Sequence, residues 1–279
     1  MNDIRKIAEK IEQADAILIG ASNGLSITEG IHLFANNRAF QEVFGDFQDK
    51  YGLQNLLSGM LGQWPSEDEM WAFWSRMVNH YSNNYEPSDA MKDLRAIVGG
   101  KDCFVVTSNG EQHFEKAGFA DEKVFEVEGD WLHMQCADGC HQERYEWSAL
   151  AEKMAVKQVD GKVPSDLIPR CPKCGGAMIP NMAAGHHFIP KPGVQEAFQE
   201  FLAKYHGKNL VILELGIGWR NQLIKAPLMR LTAQETNAVY VTINLGEIYI
   251  TDNIKERSFG LDGYLGPILS ELRSAISRK

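Results

Sequence analysis

The chain has 279 residues, of which 44% are hydrophobic and 23% are charged, and its formal net charge is −9. That length and composition suit a globular protein with one large α/β domain, or with a large domain and a small one. The acidic balance argues against duplex nucleic acid or an anionic membrane as the main partner, because the phosphate field of either would repel the protein.

The first part of the sequence predicts a helix, a strand and then a helical region. Charges run through the N-terminal segment, and its apolar run of about five residues is too short for a signal sequence or a membrane span. We therefore expect a cytoplasmic protein. Apolar spacing predicts a helix over residues 3–14, and the uniformly apolar run AILIGA predicts a buried strand. From about 35 to 95 the pattern is helical, and in the helix over 66–81 Ser66 and Glu69 form a capping-box signature.

The second part alternates strands with helices and contains one irregular segment. Further strands are predicted at residues 103–108, 124–129, 210–216 and 239–245. Most precede a turn-rich or helical stretch, which indicates βα units and a parallel sheet. An amphipathic helix follows at 265–277. Residues 131–182 hold four of the five cysteines and show little periodicity, which is typical of a small module held by something other than a hydrophobic core.

The four cysteines of this segment have the spacing of a zinc site. Cys136 and Cys140 form C-x3-C, and Cys171 and Cys174 form C-x2-C followed by two glycines. The second pair predicts a knuckle turn whose backbone N–H groups point at the sulfurs. Four thiolates complete a tetrahedral Zn²⁺ shell and leave no open position, so we expect a structural metal.

The sequence alone leaves other ligands, and other roles for the cysteines, open. His133 and His141 lie beside the first pair and are candidate substitute ligands, while free thiols or a redox pair are the alternatives to zinc. A reducing compartment argues against a disulfide framework. Cys103 lies in an apolar strand and is expected to be a small core residue.

The turn after the first strand carries spaced glycines that do not fit the common dinucleotide fingerprint. Gly20, Gly24 and Gly30 are too far apart for G-x-G-x-x-G. The segment ASNG nevertheless stands at the start of a predicted helix, where exposed backbone N–H groups suit a phosphate.

Several segments together resemble the sirtuin family. GASNGLSITEGI (20–31) is similar to the sirtuin NAD turn G-A-G-x-S-x-x-S-G-I, and TSNGEQHFEKAG (107–118) to the strand end that carries N-x-D. GIGW (216–219) and VTINLGE (241–247) resemble later turns of the family, and the cysteine quartet lies between them in the family's order. GASNGLS, WAFWSR, FEKAGF and LELGIG resemble class M, the macrodomain-linked sirtuin ADP-ribosyltransferases.

The resemblance implies an α/β fold with two domains. A sirtuin-type inverted Rossmann domain with a parallel sheet would comprise residues 1–35, 96–130 and 183–279. A small domain, made of a helical module and the zinc ribbon, would comprise 36–95 and 131–182. The cleft between them would hold NAD and admit an acceptor.

The resemblance also implies the residues of the NAD site. The opening turn would hold the pyrophosphate, the later glycines would allow close approach of the adenosine half, Asn244 would contact its ribose, and Phe34 would shield the nicotinamide ribose. The cofactor-binding residues implied are Gly20, Ala21, Ser22, Asn23, Gly24, Ser26, Phe34, Arg38, Asn109, Glu111, Glu128, Gly216, Gly218, Asn244 and Leu245.

Three positions depart from the pattern of deacylating sirtuins. Their histidine base is replaced by Glu128, the N-x-D aspartate by Glu111, and the arginine after G-I-P-D-F by Ala35, with Arg38 three residues on. Asn109 and Glu128 are the predicted catalytic residues for cleavage of the nicotinamide glycosidic bond and activation of an acceptor.

The loss of the histidine favours ADP-ribosyl transfer to a protein acceptor over deacylation. For class M the resemblance implies a lipoylated carrier protein as acceptor and a macrodomain protein as pathway neighbour. A protein deacylase that uses Glu128 as an unusual base, and an NAD-binding sensor with little turnover, are the alternatives.

Overall fold

The structure, a computed structural model, describes residues 2–276. Within this range the chain forms a large parallel sheet with helices on both faces and a small antiparallel sheet beside a helical module. None of the helices in residues 2–276 is both long and apolar enough to cross a membrane. Ser277, the last residue of the predicted C-terminal helix, lies outside the described residues.

The large sheet is built from parallel strands in the order β3-β2-β1-β7-β8-β9. Its strands are β1 Ala16–Ala21, β2 Asp102–Thr107, β3 Val124–Glu126, β7 Leu210–Leu215, β8 Val239–Asn244 and β9 Ser258–Asp262. Ala21 pairs with both Thr107 and Leu215, so the carboxyl ends of the three central strands lie level. The chain continues from β1 to one side of the sheet and later returns through β7 on the other side. This reversal makes the carboxyl edge beside β1 a topological switch point, where α/β proteins bind ligands.

Helices cover both faces of this sheet. The helices of the described chain are α1 Asn2–Gln13, α2 Asn23–Thr28, α3 Arg38–Tyr51, α4 Leu56–Met60, α5 Glu67–Val78, α6 Asp89–Val98, α7 His113–Lys116, α8 Ser148–Lys157, α9 Val194–Tyr205, α10 Gln222–Gln234 and α11 Leu265–Ile276. α1, α6 and α11 pack on one face, and α9 and α10 pack on the other. In β1, Ile17 and Ile19 enter the first core while Ala16 and Leu18 enter the second, which explains the uniformly apolar run.

A third core joins the helical module to the cysteine-rich segment. Here β4 Gly129–Cys136 pairs antiparallel with β5 Tyr145–Glu146 and with β6 Met178–Met182. Buried aromatic residues of α3 and α5 share this core with Trp131 and Trp147, whose rings and backbone join β4 to the start of α8. The helix–sheet packing fixes the ribbon against the helical module.

Most predicted elements are confirmed, with two differences. The strand predicted at 124–129 is shorter, because β3 ends at Glu126. The Ser66 capping box is wrong: Ser66 Oγ donates to Glu69 Oε2 (2.9 Å) and makes no cap to the backbone of α5. Lys50 and Lys162 also pair with the Glu69 carboxylate, so this side chain is occupied by ion pairs and by the Ser66 hydroxyl instead of by the backbone of the helix end.

Candidate functional site

The opening turn lies at the carboxyl edge of the sheet, where segments from distant parts of the chain converge on Ser22. The Ser22 hydroxyl accepts hydrogen bonds from Ser108 Oγ (3.0 Å) and from Asn221 Nδ2 (2.8 Å). Asn109 Nδ2 donates to the Ser22 carbonyl (3.2 Å). The turn after β1, the end of β2 and the start of α10 are therefore joined at one buried residue.

Ser108 and Asn221, which hold this arrangement together, were not predicted from the sequence as site residues. Asn221 Nδ2 also lies 3.3 Å from Ser108 Oγ, so one amide group connects both serines. Ser108 was predicted as the last residue of the strand over 103–108, but it lies just beyond β2, which ends at Thr107. Asn221 stands in a segment with no local signal and is 199 residues from Ser22.

Two glycines bring the turn after β1 against the turn after β7. A Cβ on Gly24 would lie 2.5 Å from Gly216 Cα, a separation that no real side chain tolerates. Gly216 also has a φ of +63°, which favours glycine. The Gly24 N–H donates to the Gly216 carbonyl (2.9 Å) and the Ser22 N–H to the Leu215 carbonyl (3.3 Å). These two amides hold the turns together, so the expectation that they face a phosphate is not met in this conformation.

Gly20 and Ala21 occupy the end of β1 and serve packing. A Cβ on Gly20 would collide with the Leu228 side chain of α10. Ala21 is fully buried, and its carbonyl accepts from the Ser108 N–H (3.3 Å) and from Thr107 Oγ1 (3.2 Å). Both residues fix the position of the turn, and their place in the cofactor site stays a prediction.

Asn23 carries the clearest local sign of a missing ligand. Its Oδ1 atom is buried and has no hydrogen-bond partner among residues 2–276. A buried acceptor without a donor is costly, and a ligand hydroxyl or N–H would satisfy it. Together with the close backbone approach at Gly24 and Gly216, this orphaned oxygen fits the edge of a dinucleotide such as NAD.

Behind the turn, Glu111 is held in a buried position by α2. Ser26 Oγ donates to Glu111 Oε1 (2.5 Å), and Glu111 is 3% exposed. Burial disfavours its ionised form and raises the pKa of Glu111 to about 7, although the Ser26 bond opposes the rise. This hydrogen bond joins two segments that the resemblance places at the NAD site.

A second polar group, missed from the sequence, packs beside Glu111. His113 Nδ1 is 3.9 Å from Glu111 Oε1, and His113 Nε2 lies 2.7 Å from the Tyr81 carbonyl. Burial lowers the pKa of His113 to about 4, so the ring is neutral near pH 7. Tyr85 stacks on this ring (3.4 Å between centroids) and donates its hydroxyl to Glu29 at the end of α2 (2.6 Å).

Asn109 and Glu128 follow neighbouring parallel strands at the same edge. The Val127 N–H donates to the Thr107 carbonyl (2.9 Å), and the Trp131 N–H donates to the Gly110 carbonyl (2.8 Å), so the two segments stay paired beyond β2 and β3. The Glu128 side chain is exposed, yet the atoms crowded around its carboxylate displace enough water to raise its pKa. A carboxylate of raised pKa is a stronger base than an ordinary glutamate.

The remaining predicted positions lie at the margins of this edge. Phe34 is 56% exposed, and Arg38 pairs with Glu42 on its own helix (2.7 Å). Asn244 Nδ2 donates to the Glu247 carbonyl (3.1 Å), which shapes the loop after β8. Gly218 lies beside Glu247, and Leu245 is 56% exposed. In this conformation the loops after β7 and β8 are thus joined to each other.

The four cysteines converge as the spacing predicts. Cys136 Sγ lies 3.7 Å from Cys174 Sγ, and Cys140 Sγ lies 3.6 Å from Cys171 Sγ. Sulfurs bound to one tetrahedral zinc at about 2.3 Å are separated by about 3.8 Å, so the quartet fits the ion. The Gly176 N–H donates to Cys174 Sγ (3.4 Å), as a knuckle turn requires.

The two histidines near the quartet differ. His141 Nδ1 lies 3.0 Å from Cys140 Sγ, so it borders the cluster, and its Nε2 is 2.8 Å from the Tyr145 hydroxyl. His133 Nδ1 lies 2.8 Å from Asp130 Oδ1 and is directed to that carboxylate instead. The ligand atoms of Cys136, Cys140, Cys171 and His141 lie within 4.8 Å of one another, and Cys174 lies beside Cys136. The four thiolates would hold the zinc, and His141 stays a candidate substitute ligand.

The comparisons with known proteins agree with this architecture. The chain is 32% identical over 256 residues to a protein ADP-ribosyltransferase of Staphylococcus aureus, covering 90% of this chain and 81% of the relative. It is 31% identical to a probable bifunctional ADP-ribose hydrolase/ADP-ribosyltransferase of Fusarium oxysporum, covering 75% of this chain and 36% of that longer relative. It is 28% identical to NAD-dependent protein deacetylase 1 of Pyrobaculum aerophilum, covering 65% and 63%.

Two solved structures share the fold. A structure described for the mechanism and regulation of Sir2 enzymes superposes with a TM-score of 0.61 at 21% identity and covers 100% of this chain and 99% of its own. A Sir2 homologue–NAD complex gives a TM-score of 0.64 at 16% identity and covers 97% and 93%. No protein-family model matches the chain.

The parallel sheet with its switch-point turn, and a four-cysteine ribbon that fits a zinc ion, thus define an α/β protein with the fold of Sir2 enzymes. The chain belongs to the sirtuin family.

Proposed function

We propose that the protein is an NAD-dependent protein ADP-ribosyltransferase of the macrodomain-linked class. The observation that carries the proposal is the 32% identity, over 90% of this chain, to a protein ADP-ribosyltransferase. Glu128, at the position of the deacylase histidine, supports it independently, because transfer requires only that the acceptor be activated. The acceptor we propose is a lipoylated carrier protein, with a macrodomain protein as pathway neighbour.

In the proposed function, NAD binds in the cleft between the two domains. The separate cores support most of this division: α3, α5 and the cysteine-rich segment share the third core, whereas α6, whose first half lies within 36–95, packs on the large sheet. Ser22, Asn23, Gly24 and Gly216 would hold the dinucleotide at the switch point. Bound NAD would supply the ADP-ribosyl group, with nicotinamide as the leaving group.

The chain's own residues would position and activate the acceptor. Asn109, fixed by its bond to the Ser22 carbonyl, keeps its carboxamide oxygen for hydrogen bonding in the cleft. Glu128 would accept the proton that the acceptor's nucleophile releases, and its raised pKa makes it a better base. The Glu111–Ser26 bond would hold α2, and with it the turn, in place.

The test uses NAD labelled in the adenylate phosphate. Transfer of label to a lipoylated carrier, but not to the same carrier without lipoate, supports the proposal. Formation of O-acetyl-ADP-ribose from an acetylated peptide would instead support the deacylase, and tight NAD binding with neither product would support a sensor.

Two variants test the role of Glu128. Glu128→Gln should lower transfer by about 100-fold while NAD binding is retained, since a positioned base contributes roughly that much. Glu122→Gln is the matched control, because Glu122 is an exposed carboxylate that precedes β3 whereas Glu128 follows it. Equal activity of the two variants would contradict the assignment.

A further inference from the structure

A cavity of 440 Å³ lies at the edge of the large sheet opposite the NAD turn. It is lined by Lys101, Asp102 and Cys103 at the start of β2, whereas Asn109 follows the end of that strand. α6, the segment around Phe119 and α9 complete its walls. The cavity is therefore separate from the carboxyl edge of the sheet.

The lining is strongly basic although the chain as a whole is acidic. Four cationic side chains and a single carboxylate face the cavity; they are Arg95, Lys101, Lys123, Lys204 and Asp102. The net charge of the whole chain is −9, so the composition does not account for this local excess of positive charge. Positive charge concentrated in a concave site attracts and retains anions.

Two of the cations are held by hydrogen bonds to backbone carbonyls. A carbonyl carries no net charge, so these bonds do not neutralise the cations. Lys101 Nζ donates to the carbonyls of Glu12 (2.9 Å) and Ala14 (2.8 Å), at the end of α1. Arg95 Nη1 donates to the Gly99 carbonyl (2.8 Å), and its guanidinium lies 5.6 Å from the centre of the Phe119 ring. Both groups are held in position with donors to spare, since an ammonium has three and a guanidinium five.

The other two cations are gathered by Asp102. Its carboxylate accepts from Lys123, from Lys204 (2.7 Å) and from the Tyr205 hydroxyl (2.8 Å). Burial alone would raise the pKa of Asp102, but these bonds hold it well below its usual range. This partly buried carboxylate thus lies where an anion would lie between the two lysines, and it neutralises only part of the positive charge of the lining.

We propose that this cavity binds a small polyanion that carries phosphate groups. Its volume is within the roughly 300–1,000 Å³ of ligand sites, and Arg and Lys side chains are the usual partners of phosphate oxygens. Binding is non-covalent, because burial raises the pKa of the Cys103 thiol to about 12 and removes its thiolate at neutral pH.

The test is calorimetric titration of the full-length protein with inorganic pyrophosphate. Lys204→Gln should weaken binding by about tenfold, the loss of one charge-assisted contact. Lys208→Gln is the matched control: Lys204 and Lys208 both lie over the Tyr205 ring, at 5.0 and 5.4 Å, but only Lys204 lines the cavity. The control should bind as the wild type does.

A gain-of-binding variant keeps the test independent of folding defects. Asp102→Asn removes the internal carboxylate, so pyrophosphate should bind several-fold more tightly. If Asp102→Asn leaves the affinity unchanged, or if Lys204→Gln and Lys208→Gln weaken it equally, the proposal is overturned. If Ser22→Ala, at the NAD turn, abolishes all pyrophosphate binding, the anion occupies the NAD site and the proposal also fails. None of these readouts requires transferase activity.

Discussion

Replacing Glu111 by glutamine should reveal how much stability the buried carboxyl costs. Glu111 is 3% exposed, and Ser26 Oγ donates to its Oε1 atom at 2.5 Å. Glutamine has nearly the same shape and keeps an oxygen that accepts this bond. The variant therefore removes the titration of residue 111 with little change in packing.

The magnitude follows from the two pKa values of Glu111. Its pKa is about 7 in the folded protein, against 4.5 for an ordinary glutamate. Because the folded state keeps the proton longer, this residue's contribution to stability is fully present below about pH 4.5 and is lost as pH rises through 7. A difference of about 2.5 in pKa corresponds to about 3 kcal/mol. The free energy of unfolding of Glu111→Gln, relative to that of the wild type, should therefore rise by about that much between pH 4.5 and pH 8.

The assay is urea denaturation of both proteins at several pH values from 4.5 to 8. His113 titrates in the opposite sense, because its pKa falls to about 4 on folding and its contribution is lost as pH falls. His113 is present in both proteins, so the difference between their free energies of unfolding at each pH removes its contribution to first order. Glu9→Gln, at an exposed position on α1, is the control for removing one carboxylate from the protein.

If the difference in free energy of unfolding between Glu111→Gln and the wild type does not change with pH, the reasoning is refuted. Such a result would mean that the carboxyl is solvated in solution, or that Ser26 stabilises the charged form as fully as water does. A difference of opposite slope would mean that Glu111 is ionised in the folded protein throughout this range.

Two further predictions concern the turn and the ribbon. Gly24→Ala should cost about 1–3 kcal/mol of stability and weaken NAD binding, because the added Cβ meets the Gly216 backbone at 2.5 Å. Gly45→Ala, on α3 with nothing within 4 Å, should be neutral or stabilising by up to about 1 kcal/mol. Cys171→Ser should lower bound zinc well below one ion per chain, measured by atomic absorption, and lower the melting temperature. Cys103→Ser, outside the quartet, should keep the zinc, and equal zinc contents would contradict the four-thiolate site.

The central strands were predictable because burial on two faces leaves a continuous apolar run. β1, β2, β7 and β8 lie within one residue of their predicted ranges. β9 was missed because it is an edge strand with no fully buried residue, so it carries little hydrophobic signal. The ribbon strands β4 and β6 were missed for a different reason: their pairing is irregular, with a register shift between Gly129 and Met134.

Some residues of the candidate site were predictable from short motifs, and others depend on contacts between segments that are far apart in the sequence. The cysteine pairs follow from short motifs whose spacing carries the chemistry, whereas the Ser26–Glu111 bond joins residues 85 apart and was not predicted. The hydrogen bonds to Ser22 from Ser108 and Asn221 depend on how three strand ends and one helix meet. Tertiary packing decides that geometry, and a local pattern does not encode it.

A buried polar network holds Asn221 at the turn after β1. The network begins at Lys225, one helical turn after Asn221. Lys225 of α10 forms a fully buried ion pair with Glu214 of β7, and Tyr240 and Thr242 of β8 donate to the same carboxylate.

A buried pair of this kind adds little net stability, because desolvation offsets the attraction, but a misplaced partner is strongly unfavourable. The network therefore fixes the position of α10 on the sheet. Since the Lys225 N–H also donates to the Asn221 carbonyl (3.4 Å), the same constraint holds Asn221 where its amide reaches Ser22. The glutamate of the LELG segment is thus explained by the orientation of α10 rather than by contact with a ligand.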